Sequence, residues 1–429
     1  MRRLGPGEAT RVDAPTAATG APPAVEKRAR RGRRSVDAAL LVVLPWLPLL
    51  SGEGAFRVVG SIAFVLTAGM LLLCLRDHRL SAETRVPALG FLVLLPIGAV
   101  FSSALDFQAA RQVLQLLLIA LALRLAPSLR FGALARQMTT GLCLLLCAVA
   151  LVLNLYGGVE IYANPNGYGV ASVCWAAVLL RFNVAPYRSW RVLRAVVWLL
   201  LPALLALASE SRSSLAAVGL MAVWIGVFVL IKASWLRVTV TLSTFVLSIV
   251  AILILAAGST FDSPDIIPTV GDKSGLSGRN IIWASVLAAI DANGFRGFGL
   301  GSLPGGLLEN HYEGLSAHNG FLQILYQFGA VGLLVLLGIC IALLIAMARR
   351  QDGGVSAGIL LAALVHELFE VVITQNHFGA GLLLWIIIAV QTPVRSLGMR
   401  PIRAWRGPAM DATERRSKSR VRCTVRARA

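Results

Sequence analysis

Two arginines and a histidine, each standing among serine, glycine or asparagine at the head of an apolar run, are the residues of this sequence best suited to chemistry. They are Arg212 in SESRSS (209–214), Arg279 in SGRNIIW (277–283) and His318 in SAHNGF (316–321). A cation at a helix start is unfavourable alone, because the macrodipole and the free amides already present partial positive charge there. An anion reverses the balance. Helix N-termini take phosphate readily, and a guanidinium adds a bidentate clamp that is always charged. Ser209, Ser211, Ser213 and Ser214 can cap the helix or donate to the same anion. Arg279 repeats the arrangement, and two such arginines on one face suit a diphosphate, with Lys273 and Arg296 as further contributors. The plainer reading of Arg212 is an interfacial arginine with Glu210 as its partner.

His318 adds a base. An imidazole of ordinary pKa, ~6.5, can take a proton from a hydroxyl near neutral pH, and cationic neighbours keep it neutral. Asn319 can orient the ring or an acceptor; the plainer alternative is an interfacial histidine capping its helix. YANPNGYG (162–169) places Asn164 and Asn166 before another apolar run, which gives them a substrate-binding part beside Ser211, Arg296 and Asn319. Glu309, His311 and Glu313 alternate, and His366 and Glu370 lie one helical turn apart with Glu367 between them. Neither group has a strong ligand signature, so no metal is expected. The second group lies inside an apolar run, where ionisable residues are costly and face a cavity or pair helices. The glycines of GFRGFGLGS (294–302) do not make a dinucleotide loop, since no strand precedes them; they suit close backbone approach to a ligand or helix.

What must position these residues is a membrane bundle. The 429 residues are 57% apolar and 14% charged, with mean hydropathy +0.75, against roughly 25% charged in soluble domains. Apolar runs long enough to cross a core of ~30 Å recur along the chain. The expected fold is all-α integral membrane, with about 12 transmembrane helices and one large extracytoplasmic loop between helices 9 and 10. The expected spans are 37–51, 56–75, 87–104, 108–126, 133–156, 167–182, 191–208, 213–231, 236–257, 319–347, 355–374 and 377–394. The domains read as 1–34, a basic disordered cytoplasmic tail; 35–257, a nine-helix membrane region; 258–318, the extracytoplasmic loop; 319–394, three further helices; and 395–429, a basic cytoplasmic tail. Within the loop, RNIIWASVLAAI spaces its apolar residues as an amphipathic helix.

Lysine and arginine favour the cytoplasmic side. With both termini inside, the tails and inner connections hold 34 of the 40 basic residues, leaving 6 outside. The net charge of +19 therefore belongs largely to tails lying against an anionic leaflet. No aromatic or folded module accompanies it, so nucleic acid is excluded as a partner. Five of the six cysteines lie within or beside spans and Cys423 in the inner tail; no disulfide framework or zinc spacing appears. No small-residue cleavage site follows the first apolar run, so a cleaved signal is not expected.

The order of NPN (164–166), SR (211–212), GR with a tryptophan four residues on (278–283), GFGLG (297–301) and HN (318–319) resembles the O-antigen ligase and polymerase superfamily, over about residues 35–394. The resemblance implies a bacterial cytoplasmic (inner) membrane protein acting on the outer face. It implies transfer of a glycan from a polyprenyl diphosphate carrier to an acceptor hydroxyl, on a glycan or lipid, with no cofactor, nucleotide or metal. Arg212 and Arg279 would hold the donor diphosphate and stabilise the leaving group. His318 would activate the acceptor in an inverting displacement. Ligase is the first reading; a polymerase of the same superfamily is the alternative, and a lipid-linked glycan transporter a further one. Family members often carry a proline just before the glycine run, where this chain has Gly294-Phe295-Arg296, making Arg296 a candidate specificity feature.

Overall fold

The computed structural model describes residues 35–78, 80–102, 106–157, 160–162, 164–185, 190–257, 279–304, 316–350, 352, 354–374 and 377–391. Among these residues the chain is helical and has no strand. α1 spans Ser35–Ser51, and its second half tightens into a 3-10 helix at Leu44–Ser51, where Pro45 and Pro48 withhold amide donors. There follow α2 (Gly54–Asp77), α3 (Arg85–Phe101), α4 (Phe107–Leu125), α5 (Ala133–Tyr156), α6 (Asn166–Asn183), α7 (Arg191–Ala208), α8 (Arg212–Leu230) and α9 (Ser234–Ala257). α10 is Arg279–Ala292, α11 Gly320–Arg349, α12 Val355–Glu367 and α13 Phe378–Ala389.

Seven helices among the described residues are long and apolar enough to cross a membrane: α2, α4, α5, α7, α8, α9 and α11. The protein is thus a multi-pass membrane protein. α1, α3, α12 and α13 are shorter apolar helices, and α6 is buried along nearly its whole length. Burial separates two kinds of helix. α12 and α13 are buried on all sides and α6 with them, as apolar helices are at the centre of a bundle. α2, α5 and α7 keep exposed stripes, such as Val65 and Leu72, Leu145 and Val152, or Val196 and Leu200, which face lipid.

Hydrogen bonds sort the helix ends into two groups. At one end, the start of α1 meets the end of α2 through Asp37 and His78 (2.9 Å). There the start of α5 is tied to α1 by Arg130 N–H donating to Asp37 (3.0 Å), and the end of α6 meets the start of α12 through Arg181 and Asp352 (3.0 Å). The starts of α6, α10 and α11 and the residues beyond α12 meet at the other end, described below.

Two features depart from the sequence expectation. The apolar run 355–374 is not one helix: α12 stops at Glu367, whose carboxylate accepts from the amides of Val372 and Ile373 (both 2.8 Å) and from the Thr374 hydroxyl (2.9 Å). The four residues Val371, Val372, Ile373 and Thr374 are β-branched and favour helix weakly, so a carboxylate cap wins. Gly320, the first residue of α11, makes room for this cap, since a Cβ there would lie 1.9 Å from Glu367 Oε1.

The second departure is a break in α11 at Gly329 (φ 67°, ψ −171°), a backbone conformation that glycine adopts without strain. The groups freed by the break are paired by the glycine-rich loop. Phe298 and Gly299 donate to the Tyr326 and Gln327 carbonyls (both 2.9 Å), and Ala330 donates to Phe295 O (3.0 Å). Non-helical backbone at membrane depth survives only when protein satisfies it in this way. Buried Gln112 reinforces the join, donating to Gln327 Oε1 and accepting from Gly301 N (both 2.6 Å).

Candidate functional site

The head of α6, the head of α8, the head of α10, the segment before α11 and the turn after α12 converge, and the residue at their centre is Glu370. One carboxylate oxygen accepts from Arg279 Nη2 (2.5 Å) and from Asn166 Nδ2 (2.8 Å). The other faces His318 Nδ1 at 3.3 Å. Arg279 is the first residue of α10, Asn166 the first of α6, and His318 lies two residues before α11. Helix starts carry unpaired amides and partial positive charge, so a carboxylate placed among three of them is held ionised. Burial pushes the Glu370 carboxyl up, but the His318 hydrogen bond and the Arg279, His318 and His377 charges outweigh it, leaving it well below the usual carboxylate range.

Local structure explains how each group is aimed. Trp283, one turn into α10 and buried, donates Nε1–H to Ala317 O (2.9 Å), pinning the Arg279 turn against the His318 segment. His318 holds φ +48°, a left-handed conformation that histidine visits more readily than most residues. Asn319 sits behind it as the N-cap of α11, its side chain accepting from Leu322 N (3.0 Å). Asn319 therefore fixes the helix that carries the histidine; no hydrogen bond joins its side chain to the ring among the described residues.

Arg212 opens α8 and senses the charge of Arg279. Two like charges thus share one region, where the Glu370 carboxylate pairs with Arg279. The serines around Arg212 do not cap α8. Ser211 stands at the N-cap position without a capping bond and donates instead to Ser214 Oγ (2.8 Å), which meets His366 Nε2 at 2.8 Å. The Arg279 Nε is enclosed and lacks a hydrogen-bond partner among the described residues. A guanidinium held by one arm, with an unmatched N–H beside it and a second arginine close by, is poised for an oxyanion.

The structure therefore joins Arg212, Arg279, His318 and Asn166 in one place. Asn164 accepts from the Asn166 amide (2.9 Å) and is exposed, shaping the turn before α6. Arg296 is exposed in the turn after α10, and no hydrogen bond or ion pair joins it to the Glu370 cluster. Lys273, Ser277 and Gly278, and Glu309, His311 and Glu313, lie outside the described residues. Of the three ionisable residues near the end of α12, Glu370 belongs to the site, Glu367 closes a turn, and His366 (2% exposed) bonds Ser214. Their presence in an apolar run was the signal for Glu370; its pairing with His318, Arg279 and Asn166, 52, 91 and 204 residues away, had none. Metal-ligating types converge once among the described residues, as Asp37, Cys74 and His78, and these belong to the opposite end.

Exposure distinguishes His318 from His366. His318 keeps 21% of its side chain exposed while Glu370 keeps 4%, so the ring can meet a substrate on one edge while the carboxylate holds the other. His366 is enclosed and cannot.

Residues 195–337 match the family model described as O-antigen ligase. The matched stretch runs from α7 into α11 and contains Arg212, Arg279 and His318. No curated protein matches the chain. The match supports the O-antigen ligase and polymerase superfamily, and with it a ligase- or polymerase-type function in the membrane.

Proposed function

We propose that the chain is an O-antigen ligase-like glycosyltransferase, moving a glycan from a polyprenyl diphosphate to an acceptor hydroxyl at the outer face of the cytoplasmic membrane. The observation that carries this reading is the Glu370 carboxylate shared by Arg279 and His318, with Arg212 in electrostatic reach. In this scheme Glu370 binds His318 Nδ1 and fixes the tautomer that leaves Nε2 unprotonated. Nε2 accepts the acceptor's proton as the hydroxyl oxygen bonds the anomeric carbon. The carbon–oxygen bond to the diphosphate breaks on the opposite face, which inverts the configuration. The diphosphate leaves with negative charge that Arg212 and Arg279 hold, the kind of electrostatic contribution that grows as the bond breaks. The required charges all come from side chains, so the scheme calls for no metal and no cofactor.

The accompanying topology has twelve spans, both termini cytoplasmic, and α10 in an outer loop between the ninth and tenth spans. The alternating grouping of helix ends supports it. Ligase and polymerase use the same donor and the same residues here. The broken α11 would be at home in a transporter, yet its freed carbonyls are filled by the 295–299 backbone, which favours an enzyme.

The test is a mass spectrum of products after mixing purified chain, polyprenyl-diphosphate oligosaccharide and candidate acceptors. One block moved onto a different molecule, with free polyprenyl diphosphate, is the expected ligase result. A ladder of repeat units means polymerase. Donor that is moved across a vesicle membrane but chemically unchanged would overturn both.

A further inference from the structure

Under the proposed topology the six outward basic residues are Arg57, Arg111, Arg212, Lys273, Arg279 and Arg296. Only Arg212 and Arg279 enter the scheme above; of the other four, Arg57 and Arg111 share a cavity. Arg57, in the first turn of α2, and Arg111, in the second turn of α4, line one cavity of about 280 Å³ with Leu50, Phe64, Leu114 and Phe378. Neither guanidinium is paired with a carboxylate among the described residues. Like charges brought together on apolar walls repel, and an anion relieves that. The volume falls just below the usual range of ligand pockets, about 300–1,000 Å³, a size for a head group and the first carbons of a chain.

This cavity is at the same end as the Glu370 cluster. The amide of Glu53, just before α2, donates to Ile161 O (2.8 Å), near the head of α6. Gln112, next to Arg111, is bonded to Gly301 and Gln327. His377 adjoins Phe378 of the cavity wall in sequence, and its amide donates to Val371 O (3.3 Å), next to Glu370. The cavity is therefore a neighbour of the first site, reached from the α2–α4 side.

We propose that Arg57 and Arg111 form a second lipid subsite, which takes the phosphate-bearing head of a membrane lipid with its first chain carbons along Phe64, Leu114 and Phe378. With the donor diphosphate at Arg212 and Arg279, this subsite holds the anchor of a lipid-borne acceptor; that assignment rests on the proposed function.

Binding of dioctanoyl phosphatidic acid to the purified full chain in phosphatidylcholine nanodiscs tests the subsite without needing turnover. Wild type, R212Q/R279Q and the charge-keeping R57K/R111K should bind it, and R57Q/R111Q should bind it about tenfold or more weakly, since each arginine contributes to anionic-lipid affinity. Dioctanoylglycerol, which lacks the phosphate, should bind none of them. Equal binding by wild type and R57Q/R111Q, loss in R212Q/R279Q instead, or no binding by wild type would overturn the subsite. In the transfer assay phosphatidic acid should raise the acceptor KM and leave the donor KM unchanged; the reverse would overturn the acceptor assignment alone. A wild type that binds phosphatidic acid through Arg57 and Arg111 yet transfers no glycan would count against the proposed function and not against the subsite.

Discussion

Each end of the bundle holds a buried arginine–carboxylate pair, and the two pairs are finished differently. At one end Arg181 uses every nitrogen: Nε donates to Ile387 O (3.0 Å), Nη1 to Asp352 (3.0 Å), and Nη2 to the Ser356 hydroxyl (2.5 Å) and Ile388 O (3.3 Å). The guanidinium is enclosed, 1% exposed. At the other end Arg279 has one arm on Glu370 and an enclosed Nε with no partner among the described residues, and a second arginine is near. The Arg181 guanidinium, with every nitrogen donated, locks helices even though Asp352 Oδ1 lacks a partner among the described residues; the Arg279 guanidinium has donor capacity left for a ligand. The same residue types thus serve as a staple in one place and a site in the other.

The sharpest way to break this comparison is to remove both arginines in turn. Arg181→Ala leaves Asp352 buried without its paired guanidinium and opens a cavity among α6, α12 and α13, with only the Ser356 donors left on the carboxylate, an effect of about 3–5 kcal/mol on stability, and should appear as a large drop in melting temperature or loss of folded protein from the membrane. Arg279→Ala leaves Glu370 with Asn166 and His318, so it should cost clearly less stability than Arg181→Ala and lower transfer by roughly 10²–10³, the range for losing one preorganised charge-stabilising donor. Arg212→Ala should behave like Arg279→Ala. If Arg279→Ala unfolded the chain as readily as Arg181→Ala, the division between staple and site would fail.

Much of the membrane architecture was legible, because apolar runs and basic flanks report directly on spans. The expected runs at 56–75, 133–156 and 191–208 sit within α2 (Gly54–Asp77), α5 (Ala133–Tyr156) and α7 (Arg191–Ala208). The run 355–374 misled, since hydropathy cannot separate a helix from a β-branched apolar turn capped by Glu367. The break at Gly329 was hidden for a similar reason: it depends on carbonyl partners supplied by residues 295–299. Within the site, helix-start positions exposed Arg212, Arg279 and His318, because a cation at a helix head is locally unfavourable and calls for an explanation. Glu370 stood out only as an ionisable residue in an apolar stretch. That it joins α6, α10 and the α11 head is a property of the packing.

A smaller effect sharpens the part given to Glu370. Glu370→Gln keeps the shape and loses the charge that fixes His318 and Arg279, so transfer should fall by about 10–10², less than for loss of the base itself at 10²–10⁴. Steady-state rates against pH for the two variants would check the order. The smallest effect concerns acid stability. The folded-state pKa of Glu370 is lowered, so its stabilising contribution is fully present above the unfolded value of ~4.3 and is lost as pH falls from there through the folded value. Melting temperature should therefore decline below about pH 4 in wild type and decline less in Glu370→Gln.

The most direct measurement is the transfer rate of His318→Ala, purified, reconstituted and shown by thermal unfolding to be folded like wild type. The imidazole as base predicts a rate down by about 10²–10⁴ with donor affinity little changed. Turnover at the wild-type rate would contradict it.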